Sequence, residues 1–132
     1  MNFVSFSKQF AKEINGQYTE YDEKKSVFIV PLPDGRNQTV IAEIFHHEQY
    51  EREVIRIDSK ICNLFSPIKY SEILAASTKF VHARFIAEDS FLKAESSFFM
   101  DHLNEVVIKE MILEVAQVAD EWELKITGED IH

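Results

Sequence analysis

The chain has 132 residues, 45% of them apolar and eleven of them Phe, which suffices to bury one core and sets it apart from disordered chains. Its 23 acidic residues against 14 basic ones leave a net charge of −9, which repels phosphate backbones and argues against a nucleic-acid partner. The same balance suits a soluble acidic surface or a cationic protein partner.

The first stretch, "NFVSFSKQFAKEING", reads as a helix, because Phe3, Phe6, Phe10 and Ile14 recur at helical spacing and make one apolar stripe. Asn2 is the expected N-cap and Gly16 the expected stop. "KSVFIVPLP" is a strand closed by Pro31 and Pro33, "PDGR" is turn chemistry, and "QTVIAEIFH" is a second strand. After the polar reversal "HEQYE", "EVIRIDSKI" alternates, with Ile55, Ile57, Ser59 and Ile61 on one face and Arg56, Asp58 and Lys60 on the other. Three strands joined by short turns predict an antiparallel meander.

Ser66 and Pro67 then look like the cap and first position of a short helix over "SPIKYSEILAAST". "KFVHARFIAEDSFLKAES" reads as a hairpin turning at Glu88, Asp89 and Ser90, with Val81, Ala83 and Phe85 on one face. A long helix closes the chain from about Asn104 to Lys125. Its stripe is Val107, Ile108, Met111, Ile112, Val115, Ala119 and Trp122, with Asp101 as cap and a Glu105–Lys109 pair in support. An α+β domain over residues 1–132 is expected, with an antiparallel sheet packed by helices in the order α-β-β-β-α-β-β-α. No apolar run reaches the roughly 18 residues of a membrane span, and "MNFVSFSKQF" lacks the charged start and long apolar stretch of a signal peptide. A cytoplasmic protein with no membrane partner is expected.

This order of elements resembles that of the YbjN-like family of bacterial sensory-transduction regulators. It is similar too to the acidic chaperones of type III secretion, whose fold that family is thought to share. At residue level the resemblance is concentrated in "ILAASTKFVHARFIAEDSFLKAES" and in "VIKEMILEVAQVADEWE", with its Ala119–Asp120 pair. Ser77 and Thr78 stand where many relatives carry an Asn. The resemblance implies protein binding without catalysis. Type III chaperones are homodimers that hold an extended segment of an effector on hydrophobic patches, and neither group supplies catalytic residues.

The residues themselves agree with a non-enzyme. Cys62 is the lone cysteine and sits among apolar neighbours, where a buried inert thiol is expected. The five histidines form no zinc-ligand spacing, no GxSxG elbow is present, and Gly16, Gly35 and Gly128 stand alone. His46 and His47 in "EIFHHEQYE" lie at a strand end, where successive side chains diverge and cannot readily chelate one ion. Glu88 and Asp89 are read as solvated turn residues that point apart. No catalytic residue, metal ligand or cofactor is expected.

The informative signal is an apolar surplus on both strand faces. Val27 and Ile29 oppose Phe28 and Val30, Val40 and Ile44 oppose Ile41 and Phe45, and Phe80 and Ile86 oppose Val81 and Phe85. A sheet covered on one side needs only one apolar face. A dimer partner, a bound peptide or the chain's own helices would cover the second. Phe28, Val30, Phe45, Phe80 and Ile86 are the contact candidates of an expected homodimer acting as a chaperone-like or regulatory protein-binding module. A small-ligand-sensing domain and a dedicated type III effector chaperone are the alternatives.

Overall fold

Asn2 starts the first helix as its side chain predicts. In the computed structural model, which describes residues 1–128, α1 spans Phe3–Glu13 and buries Phe3, Phe6 and Phe10. The Ser5 N–H donates to Asn2 Oδ1 at 2.9 Å, satisfying one of the amides that a helix start leaves open. The stop differs from expectation. Asn15, at φ 56°, takes the left-handed conformation that ends the helix. Gly16 is needed for space instead, because a Cβ there would meet the Ile29 carbonyl oxygen at 2.4 Å.

A strand that hydrophobic periodicity does not reveal follows at once. β1 (Gln17–Asp22) is exposed along most of its length and pairs antiparallel with β2 (Lys25–Pro31) across the Glu23–Lys24 turn. β3 (Asn37–His47) and β4 (Arg52–Asn63) complete the expected meander. Ser66 and Pro67 do not open the second helix. Asn63 Oδ1 accepts from the Phe65 N–H at 3.0 Å and the Ser66 hydroxyl at 3.3 Å, so this segment is a side-chain-held turn closing β4. α2 starts later, at Tyr70–Ala76.

The hairpin strands are β5 (Arg84–Glu88) and β6 (Phe91–Phe99), so Phe80 and Val81 fall in the connection before β5. α3 spans Glu105–Thr127 and is capped by Asn104, whose Oδ1 accepts from the Val107 N–H at 3.0 Å. Asp101, expected as that cap, pairs with Arg52. Lys109 reaches across to Glu13 at 2.9 Å in place of its expected neighbour Glu105.

All pairings are antiparallel, in the order β1-β2-β3-β4-β6-β5. α1 packs on β1 and β2, α3 on β3, β4 and β6, and the Lys109–Glu13 pair ties the two helices together on one side of the sheet. α2 lies against the last turns of α3, where Ala75, Ala76 and Phe80 face Trp122 across a cleft. The core follows by alternation. Phe28, Val30, Val40, Ala42, Ile55 and Ile57 are fully buried on the helix side, against Ile108, Met111, Ile112, Val115 and Ala119. The β2–β3 connection is fastened to α3 by Arg36, whose Nε donates to Asp120 at 2.9 Å and whose terminal nitrogen lies 2.8 Å from the same carboxylate.

Candidate functional site: the helix-free face of the sheet

With every helix on one side, the other face of the sheet is open, and strand register sorts its side chains into rows. Phe45, Val54 and Phe99 stand opposite one another across β3, β4 and β6 as an apolar row near the β3–β4 turn. The next row is charged, with Lys25, Glu43 and Arg56 leading to Ser97. Beyond it Val27 and Ile41 run into Asp58, Glu95 and Arg84. Lys93 and Ile86 are paired on the row after that.

The charges in the middle of this face satisfy one another. Arg56 holds Glu88 in a two-pronged contact with both bonds at 2.8 Å, and Lys93 reaches the same carboxylate at 3.0 Å. Those hydrogen bonds, first from Arg56 and then from Lys93, hold the Glu88 carboxyl below its ordinary value. Asp58 shifts the other way: burial raises it, while Lys93 and Arg56 pull against that rise. Glu95, only 1% exposed, accepts from Arg84 and from the Ser97 hydroxyl. Glu88 is therefore a paired member of the sheet surface, not the solvated turn residue that the sequence suggests. Asp89 lies 3.6 Å from Lys93 at the edge of the same group.

The apolar row opens into a hollow. His47, Tyr50, Val54, Ser97, Phe98 and Phe99 line a cavity of about 290 Å³. Tyr50 meets Phe99 edge-on at 5.4 Å, and His47 lies 5.2 Å from Tyr50. Arg52 stacks over the outer part of this wall, 3.6 Å from the Phe99 ring centre, and its Nε donates to Asp101 at 3.0 Å. That hydrogen bond from Arg52 holds the exposed Asp101 carboxyl below its ordinary value. His47 Nδ1 is buried with no hydrogen-bond partner among the described residues. A neighbouring cavity of about 420 Å³ shares His47, Val54 and Ser97 and extends past Arg56 and Glu95 to Arg84, Ile86 and Glu88 on β5. Together they form a groove across β3, β4, β6 and β5, apolar at one end and charged at the other.

The contact candidates divide between the two sides of the sheet. Phe28 and Val30 carry no exposed surface: they face the helices, and the Phe28 ring meets Phe10 of α1 edge-on at 5.8 Å. The period of two identifies which residues share a face, but it cannot say which face the helices take. Phe45 and Ile86 do lie on the helix-free face, half-buried, and both line the groove. Phe80 is on neither strand face and packs on Phe85 at 5.4 Å, which in turn meets Trp122 at 5.8 Å. Tyr50, Val54 and Phe99 were not singled out from the sequence. The β3–β4 turn, once placed, sets Val54 opposite Phe45 and Tyr50 beside them, whereas Phe99 enters through the non-local pairing of β4 with β6.

The histidines separate as alternation requires. His46 points toward Glu53, 3.8 Å away, while His47 turns to the other face beside Phe45 and Tyr50. His82 is in the connection before β5 and contacts Glu110 at 3.1 Å. Glu114, one turn on, accepts from the backbone N–H groups of Val81, His82 and Ala83 at 3.3, 2.7 and 2.6 Å, which fixes the lead-in to β5 against α3. Cys62 is buried, and burial pushes its thiol up despite a hydrogen bond with Ser66. Among the described residues no three metal-ligating side chains converge, and no helix is long and apolar enough to cross a membrane.

Six antiparallel strands with helices on one side make this an α+β fold of the type III secretion chaperone kind. A chain in the structure of the HopA1–SchA chaperone–effector complex superimposes with a TM-score of 0.58, over 92% of this chain and 92% of that one, at 12% identity. At that identity the similarity is one of fold alone. No protein-family model matches the sequence, and no curated protein is similar enough to count as a relative.

Proposed function

We propose that the chain is a non-enzymatic, chaperone-like protein-binding module that works as a homodimer and receives an extended segment of a partner protein along the helix-free groove. One observation carries the reading: a sheet face left uncovered by the helices holds an aromatic-walled hollow of about 290 Å³ lined by His47, Tyr50, Phe98 and Phe99. Such a hollow accepts an apolar side chain. The fold shared with a chain of a chaperone–effector complex supports the reading. The net charge of −9 favours a cationic partner, chiefly by steering its approach. Cytoplasmic residence belongs to the same reading.

Selection of displayed peptides on the intact protein tests this. Sequences with an aromatic or large aliphatic anchor flanked by Lys or Arg are expected to be enriched. Enrichment should be lost on a Tyr50→Asp variant, because Tyr50 is a half-exposed turn residue whose replacement leaves the core in place. Failure to enrich any sequence would overturn the proposal. A metabolite that raised the melting temperature in that event would instead establish a ligand-sensing domain.

A further inference from the structure

The lining of the groove sets Arg56 and Arg84 against Glu88 and Glu95, yet these charges are not equally available to a partner. Glu95 is only 1% exposed, and each of its oxygens already accepts a hydrogen bond, from Arg84 and from Ser97. Glu88 accepts from both terminal nitrogens of Arg56 and from Lys93. A cation arriving at Glu88 would meet those two cations as well, and like charges at close range repel. The acids of the groove are therefore committed within the chain, and Arg56 and Lys93 are committed with them.

Arg84 keeps a free side. Its side chain is 68% exposed and, among the described residues, its Nε alone is engaged, by Glu95. Arg84 lines the groove, so its two terminal nitrogens are left for an incoming acceptor, and their planar fork suits a carboxylate. The other end of the groove has the opposite sign. Glu48 and Glu51 are exposed on the β3–β4 turn that also supplies Tyr50 to the hollow, while Arg52 beside them is held by Asp101. Along β6, Phe99 of the hollow and Glu95, the cross-strand partner of Arg84, stand ~13 Å apart at the rise of an extended strand. We infer that the segment bound in the groove carries Lys or Arg beside the acidic turn, an apolar anchor in the hollow, and Asp or Glu about four residues past the anchor, held by Arg84. The inference rests on the groove reading proposed above and adds the chemistry of the partner's far end. The net charge of −9 steers the partner, whereas Arg84 selects it.

Peptide selection on the intact protein, followed by binding of synthetic peptides, tests it. Asp or Glu is expected to be enriched about four residues from the anchor, on the side away from Lys or Arg. The same library selected on Arg84→Gln should keep the anchor and lose the acid. Gln retains an amide that can donate to Glu95, so the buried carboxylate is not stranded. Changing the acid to its amide in a synthetic peptide should weaken binding to the wild type by about fivefold and leave binding to Arg84→Gln unchanged. The amide exchange on the wild type needs no altered protein, so it stands even if Arg84→Gln folds poorly. Anchors enriched without an acid preference, or a preference that persists on Arg84→Gln, overturn this inference and leave the groove standing. Acid and amide peptides that bind the wild type equally do the same. No enrichment of any sequence overturns both.

Discussion

Phe28→Ala should cost the folded chain about 3–5 kcal/mol, the penalty for emptying the space of a fully buried aromatic ring. Phe28 has no exposed surface, meets Phe10 edge-on at 5.8 Å and lies 6.2 Å from Tyr18, so it joins α1 to both edge-side strands. The hole left behind cannot collapse easily, because α1 is held at its start by Asn2 and tied to α3 through Lys109 and Glu13. Denaturant titration would show the midpoint fall with little change in slope. A loss under 1 kcal/mol would mean that Phe28 lies on an accessible face, as the sequence first suggested.

The second large effect is electrostatic. Arg36→Ala should destabilise the fold by about 3 kcal/mol, because it strands the Asp120 carboxylate, which is 5% exposed, without its two-pronged partner. The figure sits at the low end for a buried pair since Arg36 itself is 27% exposed and water can approach the site. Arg36→Ala combined with Asp120→Ala should recover part of the loss, since no charge is then left unpaired. Chemical denaturation of the two single variants and the double variant measures the coupling. An Arg36→Ala protein as stable as the wild type would show that this contact does not fasten the β2–β3 connection to α3.

The sequence is most informative where one residue type has one physical use. The stripe of Phe3, Phe6 and Phe10 and the alternation of Ile55, Ile57, Ser59 and Ile61 appear in the structure as buried surfaces. β1 was illegible because a strand exposed on both faces carries no apolar period to detect. The start of α3 moved because two residues near it could serve as its cap. Asn104 outcompeted Asp101 because Asp101 is engaged by Arg52 from β4, a partner far away in sequence. The Arg36–Asp120 pair and the capture of the 81–83 backbone by Glu114 are likewise contacts between distant residues, which periodicity cannot express.

The groove was half legible for the same reason. Apolar residues on both faces of the strands pointed to a second surface, and Phe45 and Ile86 do lie there. Which face the helices would choose was undetermined, since the meander strands alternate apolar side chains on both sides. Packing decides it: α1 presents Phe10, stacked on Phe6, and Phe10 meets Phe28, not the side of Val27 and Ile29. The charges that fill the middle of the open face could be counted in the sequence. Only the register shows that Arg56, Glu88 and Lys93 meet, and that they divide the face into an apolar end and a paired-charge end.

Partner binding along the helix-free groove is tested most directly by an amide chemical-shift footprint of a selected peptide on the isotopically labelled protein. Shifts are expected to concentrate at Phe45, His47, Tyr50, Val54 and Phe99, with the outer faces of α1 and α3 undisturbed. A footprint on those helices, with the helix-free face silent, would contradict it.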